Sequence, residues 1–113
     1  MSVQQGNVAE DKACNFLLDQ GLVLRCRNYR TRRGELDLVM QDGATLVCIE
    51  VKFRKRNHYG SAVEFVTAKK LQRIRAAFEC YLIDNRQNPV STPLRIDVVA
   101  IDGNELQWLK NVG

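Results

Sequence analysis

Asp37 stands in Gly34-Glu35-Leu36-Asp37-Leu38, and a short way further on Glu50-Val51-Lys52 interrupts a second apolar run, Cys48 to Phe53. Two carboxylates and a lysine in apolar strand-like sequence are costly, because each buried charge loses hydration unless a partner or a metal replaces it. Metal-assisted phosphodiester cleavage uses this set. Hard carboxylate oxygens bind Mg²⁺ or Mn²⁺, which neutralises the scissile phosphate and lowers the pKa of a bound water. Lys52 can orient that water or stabilise charge developing in the transition state. The same residue types also serve as cross-strand Glu–Lys and Asp–Arg pairs on a solvated sheet, and the short pattern alone does not separate the two uses.

A hairpin must bring the two stretches together. Asp42-Gly43 is a strong two-residue turn signal, so strands over Glu35–Gln41 and Thr45–Phe53 are expected to pair antiparallel. With Asp42 and Gly43 as the loop, Gln41 faces Ala44, Glu35 lies opposite Glu50, and Asp37 lies opposite Cys48. That register sends Glu35, Asp37, Glu50 and Lys52 to one face, and Leu36, Leu38, Met40, Val47, Ile49 and Val51 to the other. Val39 and Leu46 share the acidic face, so both faces need cover. The expectation is an α/β fold, a single domain over residues 1–113 with helices on both sides of a central mixed sheet of about five strands.

The remaining elements read as follows. Val3 to Gln20 predicts a helix whose inner face carries Val8, Cys14, Leu17 and Leu18 beside Ala9, Ala13 and Phe16, with Glu10 and Asp11 early in it and Gly21 as its stop. Leu22 to Tyr29 predicts a strand near an edge, followed by a basic turn at Arg30 to Gly34. Arg54 to Ser61 is a polar loop holding His58. Thr67 is placed to cap a helix over Ala68–Asn85 that buries Leu71, Ile74, Phe78, Tyr81 and Leu82 and presents Lys69, Lys70 and Arg73 outward. Leu94–Ile101 and Glu105–Leu109 close the sheet, Asp97 serves as an internal partner for an arginine, and Trp108 packs.

Composition narrows the partners. The net charge is +4, and 13 of the 17 basic residues fall in Arg25–Arg33, Lys52–Arg56 and Lys69–Arg75, flanking the acidic stretch. Such clusters attract phosphates through charge and counterion release, which points to a nucleic acid. No apolar run approaches the roughly 18 residues a membrane span needs, and the amino terminus lacks a signal-peptide layout, so a cytoplasmic protein without membrane contact is expected. Cys14, Cys26, Cys48 and Cys80 form no C-x-x-C pair and read as reduced thiols, with Cys48 on the strand face of Glu50.

At these residues the chain also resembles known families. Asp37 with Glu50-Val51-Lys52 resembles the motif of the PD-(D/E)XK nucleases, whose fold is restriction-endonuclease-like. From the helix containing Glu10 through Gly34-Glu35-Leu36-Asp37-Leu38, Glu50-Val51-Lys52-Phe53-Arg54, Tyr59-Gly60-Ser61 and Asp97-Val98-Val99, the chain is similar to the YraN family of small bacterial proteins. The resemblance implies Asp37 and Glu50 as metal ligands with the Val51 carbonyl as a third, and Lys52 as the water-positioning group. Archaeal Holliday-junction resolvases add a helix glutamate to which Glu10 corresponds. Glu35 stands where the motif has proline, as an auxiliary ligand or a gate. The implied function is a Mg²⁺- or Mn²⁺-dependent nuclease acting on DNA rather than RNA, branched or single-stranded. Arg32, Arg33, Arg54, Lys55, Arg56, Lys69, Lys70 and Arg73 would grip phosphates, and a homodimer would suit two-ended junction cleavage. The alternative is a non-catalytic nucleic-acid-binding or adaptor module that keeps the fold.

Overall fold

The computed structural model describes residues 2–54 and 67–113, with side chains from Val8 onward apart from that of Arg54. The loop residues Lys55, Arg56, His58, Tyr59, Gly60 and Ser61 lie outside the described residues. The elements are α1 (Ser2–Asp19), β1 (Val23–Thr31), β2 (Gly34–Asp42), β3 (Thr45–Arg54), α2 (Ala68–Asp84), β4 (Leu94–Asp102) and β5 (Glu105–Leu109). They build one five-stranded mixed sheet in the order β1-β2-β3-β4-β5. All pairings are antiparallel except that of β3 with β4. Parallel neighbours need a crossover, and α2 lies in that connection.

The two helices take opposite faces. Ala9, Ala13, Cys14 and Leu17 of α1 pack on Leu38, Met40, Val47, Ile49, Val99 and Ile101. Ile74, Ala77, Phe78, Tyr81 and Leu82 of α2 pack on Leu36, Val39, Leu46, Cys48 and Ile96. Being covered on both sides, β3 reads as a nearly continuous apolar run, and Glu50 is the buried charge within it. Thr67 caps α2, its hydroxyl accepting from the Lys70 N–H at 3.1 Å. No helix among the described residues is long and apolar enough to cross a membrane.

Three expectations change. Val8 and Leu18 are 52% and 43% exposed, because the buried stripe of α1 runs through Ala9, Ala13, Cys14 and Leu17 instead. Glu10 is central in α1, which begins at Ser2, so it is not an early-turn acid serving the helix dipole. In the hairpin, Asp42 pairs with Thr45 and Leu38 with Ile49, so Gly43 and Ala44 form the loop. Gly43 takes a φ of 61°, the left-handed conformation that glycine adopts without a Cβ penalty. Carried one pair further, this register sets Asp37 opposite Glu50, and Glu35 is displaced from that place.

Side-chain alternation also resets midway along β1 and β2. Leu38 and Met40 face α1, but Leu36 faces α2. On the neighbouring strand Arg27 pairs with Leu38 and reaches α1, whereas Tyr29 pairs with Leu36 and stacks edge-on against Tyr81 of α2. Between them Asn28 adopts a φ of 52°, a left-handed conformation that asparagine tolerates better than most residues. Asn28 lies across from Asp37, so both strands turn over at the same level.

The acid expected to serve an arginine does so. Asp97 is fully buried and accepts from Arg95 Nε at 3.0 Å, Arg95 Nη2 at 3.1 Å, Trp108 Nε1 at 3.0 Å and the Asn111 N–H at 2.9 Å. Arg95 also reaches Asp42 at 3.0 Å, tying β4 to the hairpin turn. Trp108 is thus a donor as well as a packing residue, set edge-on against Phe16 of α1. Removing one partner of a buried ion pair strands the others and costs about 3–5 kcal/mol. Asp97→Ala should therefore lower the urea midpoint by a corresponding amount, followed by the fluorescence of the single tryptophan; an unchanged midpoint would show the network to be dispensable.

Candidate active site

Asp37 sits where β2 turns over, and its Oδ2 accepts the Val51 N–H at 2.9 Å. A side chain of β2 therefore holds the β3 backbone two residues beyond the last ladder pair, Leu38 with Ile49. Burial raises the proton affinity of Asp37 most, with the charges of Glu10 and Glu35 adding to it, while the Val51 amide and Lys52 oppose the shift.

Glu50 follows Cys48 by two on the α2 face and is only 7% exposed, and its Oε2 is buried without a hydrogen-bond partner. Burial, then the neighbouring Asp37 charge, pushes its pKa from 4.5 up to about 7; Lys52 and the Asp37 main-chain amide pull the other way. Cys48 beneath it is a fully buried free thiol whose pKa burial drives well above the usual range, which makes it an inert packing group. Lys52 is half-buried, and among the described residues it makes no ion pair within 4 Å; its charge acts on both acids from further away.

The other acids are arranged differently from the expected single face. Glu35 is exposed and paired with Arg30 at 3.3 Å. Glu10 belongs to α1, on the opposite side of the sheet from α2, and its charge bears on Asp37. Glu10 thus comes from the α1 layer, whereas Glu50 opens to the cleft beside α2. Four acids do not gather around one lysine.

A cleft of about 390 Å³ opens above Glu50, lined by Arg33, Gly34, Glu35, Glu50, Lys70, Arg73 and Ile74. Three of the expected phosphate-binding cations thus share a cavity with the buried glutamate. Arg32 faces a neighbouring depression of about 590 Å³ with Arg30, Thr31, Cys80, Ile83 and Asp84. Lys69 is exposed on the first turn of α2. The Arg54 side chain, Lys55 and Arg56 lie outside the described residues. Sequence reasoning missed Ile74 as an apolar wall of the cleft and the role of the Val51 N–H, neither of which carries a sequence signal without the docking of α2 and the true hairpin register.

The donor set suits a hard divalent cation. Glu50 offers a buried oxygen with no partner, and of the Asp37 oxygens Oδ2 alone receives a hydrogen bond among the described residues. No three His, Cys, Asp or Glu side chains among the described residues are grouped to hold a metal. A site of two carboxylates and the Val51 carbonyl requires no third such side chain.

The raised affinity of Glu50 fixes a sign. Its contribution to stability is fully present below the unfolded value near 4.5 and is lost as the pH climbs through about 7. With divalent ions removed by chelator, Glu50→Gln should melt close to wild type at pH 5 and be more stable at pH 8, by up to about 3 kcal/mol. Thermal unfolding at the two pH values measures this, and equal differences at both would exclude an ionised, uncompensated Glu50.

Comparison with known proteins fits this arrangement to a family. Residues 9–101 match the pattern of Uncharacterised protein family UPF0102. A UPF0102 protein of Vibrio cholerae is 44% identical over 112 residues, spanning 97% of this chain and 92% of its own. One from Colwellia psychrerythraea is 40% identical over 114 residues, spanning 97% and 88%. One from Legionella pneumophila is 41% identical over 113 residues, spanning 98% and 95%. The matched stretch contains Glu10, Asp37, Glu50, Lys52 and the α2 cations, and the chain belongs to family UPF0102, the YraN family.

Proposed function

We propose that this protein is a divalent-metal-dependent nuclease of the PD-(D/E)XK type that hydrolyses phosphodiester bonds in DNA. The observation that carries the reading is Glu50: a buried carboxylate with an unpartnered oxygen, beside Asp37, at a cleft that also holds Arg33, Lys70 and Arg73. A buried acid of this kind is destabilising by itself, so its retention fits a ligand that satisfies it. A Mg²⁺ or Mn²⁺ ion bound by Asp37, Glu50 and the Val51 carbonyl would supply charge neutralisation and an activated water.

The chain's own groups account for the rest. The Val51 N–H fixes the orientation of the Asp37 carboxylate, so that one oxygen is held and the other is left for the ligand. Lys52 follows Glu50 by two residues and brings an ammonium to the same acids, where it can orient a water and stabilise developing negative charge. Arg33 from the β1–β2 turn and Lys70 and Arg73 from α2 bind phosphates on either side of the scissile one. The fold agrees with this use, because the metal-binding residues come from adjacent strands of a sheet braced on both faces.

Purified protein should be incubated with Mg²⁺ or Mn²⁺ and labelled linear, single-stranded and junction DNAs, with RNA alongside. Wild type is expected to cleave DNA, and Lys52→Ala should lose about 10²–10³-fold in rate. Asp37→Ala should lose at least as much, and identical cleavage by wild type and Asp37→Ala sinks the assignment. The triple variant Arg33→Ala, Lys70→Ala, Arg73→Ala should bind DNA more weakly, with a shallower salt dependence by about 0.7–0.9 per lost contact. Salt-sensitive binding with no product under any metal condition would instead identify the adaptor, in which Asp37 serves to lock Val51.

A further inference from the structure

Arg32 and Arg33 are the loop residues of the β1–β2 hairpin, whose last ladder pair is Thr31 with Gly34. Thr31 Oγ1 accepts the Arg33 N–H at 3.0 Å and the Gly34 N–H at 3.1 Å and donates to the Gly34 carbonyl at 2.8 Å, which fixes the turn. A Cβ on Gly34 would meet that of Ala77 at 3.9 Å, so the turn rests on the middle of α2. On either side of that contact the two arginines part. Arg33 lines the cleft of Glu50 with Lys70, Arg73 and Ile74, whereas Arg32 lines the depression of about 590 Å³ with Arg30, Cys80, Ile83 and Asp84. From Arg73 to Cys80 the helix axis advances about 10 Å. Stacked nucleotides, at about 3.4 Å each along one strand, cover that length in about three steps. One strand laid along α2 can therefore occupy both hollows.

The second hollow is built differently from the first. Arg30 and Arg32 bring positive charge to it, and Arg30 is also tied to Glu35 of the cleft at 3.3 Å. Ile83 is 67% exposed. The Tyr29 hydroxyl donates to Asp84 Oδ2 and holds that carboxylate at the depression, while Oδ1 accepts no hydrogen bond among the described residues. A phosphate alone gains nothing from an exposed isoleucine and is repelled by a carboxylate. An unpaired nucleotide uses the whole lining: its base has a face for Ile83 and for a guanidinium plane and N–H groups for Asp84, and its phosphate meets the other arginine. A paired base offers neither the face nor that edge. The volume also lies in the range of about 300–1,000 Å³ found for small-ligand sites, too large for an ion.

We infer that the depression between the β1–β2 turn and the carboxyl-terminal half of α2 takes an unpaired nucleotide of the strand held in the cleft, so that the substrate is duplex DNA with a single-stranded segment beside the point of attack. The inference rests on the nuclease reading above for the chemistry in the cleft. Arg32 continues the phosphate path of Arg33, and Ile83 and Asp84 receive the base.

Duplexes of one sequence, made blunt, with a single-stranded tail, or with the same tail lacking its bases, test this. They are titrated with Mg²⁺ into Lys52→Ala protein, in which cleavage is slow, and into Lys52→Ala/Ile83→Ser, with a thermal melt to establish that each is folded. The base-bearing tail should bind about fivefold or more tighter than the abasic one, the gain expected of one stacked base, and in the Ile83→Ser background that ratio should fall toward one. Bound tailed DNA should slow alkylation of the half-buried Cys80, with the half-buried Cys26, which does not line the depression, as the reference in the same peptide map. Equal affinity for the two tails, or Cys80 alkylation unaffected by tailed DNA, overturns the inference and leaves the nuclease reading standing. A ratio that Ile83→Ser does not change overturns it also, by placing the base elsewhere. Tail preference and Cys80 protection without cleavage by wild type keep the subsite and remove the nuclease reading. Absence of salt-sensitive binding to every DNA removes both.

Discussion

The hydrogen bond from the Val51 N–H to the Asp37 carboxylate decides how this sheet is built at its centre. A main-chain donor of β3 needs an acceptor from its neighbour, and in an uninterrupted ladder that acceptor is a carbonyl. Here β2 supplies a side-chain oxygen at 2.9 Å instead. The exchange is possible because β2 turns over at Asp37, which sends Leu36 to the α2 layer and leaves Leu38 and Met40 under α1. It also needs β1 to turn over at the same level, which Asn28 permits. From this one irregularity follow the reach of the Asp37 side chain to the β3 backbone and the entry of Arg27 into the α1 interface.

The two buried acids of the sheet are compensated very differently. Asp97 and Glu50 lie on adjacent parallel strands, Asp97 beside Ile49 and Glu50 beside Val98. Asp97 receives four donors and needs nothing more. Glu50 is left with a bare oxygen, and burial drives its pKa to about 7. The same sheet supplies full compensation to one carboxylate and withholds it from the other. A fold that can satisfy an acid so completely one strand away has no packing reason to strand Glu50, which favours a ligand over a flaw.

Much of this was legible in the sequence. The element order, the hairpin, the Thr67 cap and the service of Asp97 to an arginine follow from local patterns of apolar spacing and turn chemistry. The loop placement was off by one residue: Asp-Gly suggested that Asp42 sits in the turn, whereas Asp42 pairs with Thr45 and is held there by Arg95. Moving a two-residue loop along by one preserves parity, so Asp37 and Glu50 stay neighbours and come directly opposite one another. The reversal at Asn28 and Asp37 was not legible, because period-2 reasoning assumes an unbroken pleat. That assumption placed Glu35 with the acids of one face. It also hid the ion pairing of Arg27 with Glu10 and Asp11, which joins a strand to a helix across a tertiary interface and leaves no periodic trace.

The cations of α2 complete the electrostatic argument. A helix amino terminus already carries partial positive charge, and lysines in a first turn oppose it. Yet Lys69 and Lys70 stand there, and Arg73 follows one turn on, with Lys70 and Arg73 lining the cleft opposite Arg33. Concentrated positive charge at that end lowers helix stability slightly, and Glu50 is too deeply set to be a surface counterion for all three. An anion in the cleft would offset the repulsion at the helix terminus and among the side chains together. The same anion would be repelled by an ionised Glu50 unless a cation lay between them. The basic rim and the uncompensated acid beneath it are thus each unfavourable alone, and under the proposed function a phosphate with a divalent ion would satisfy both at once.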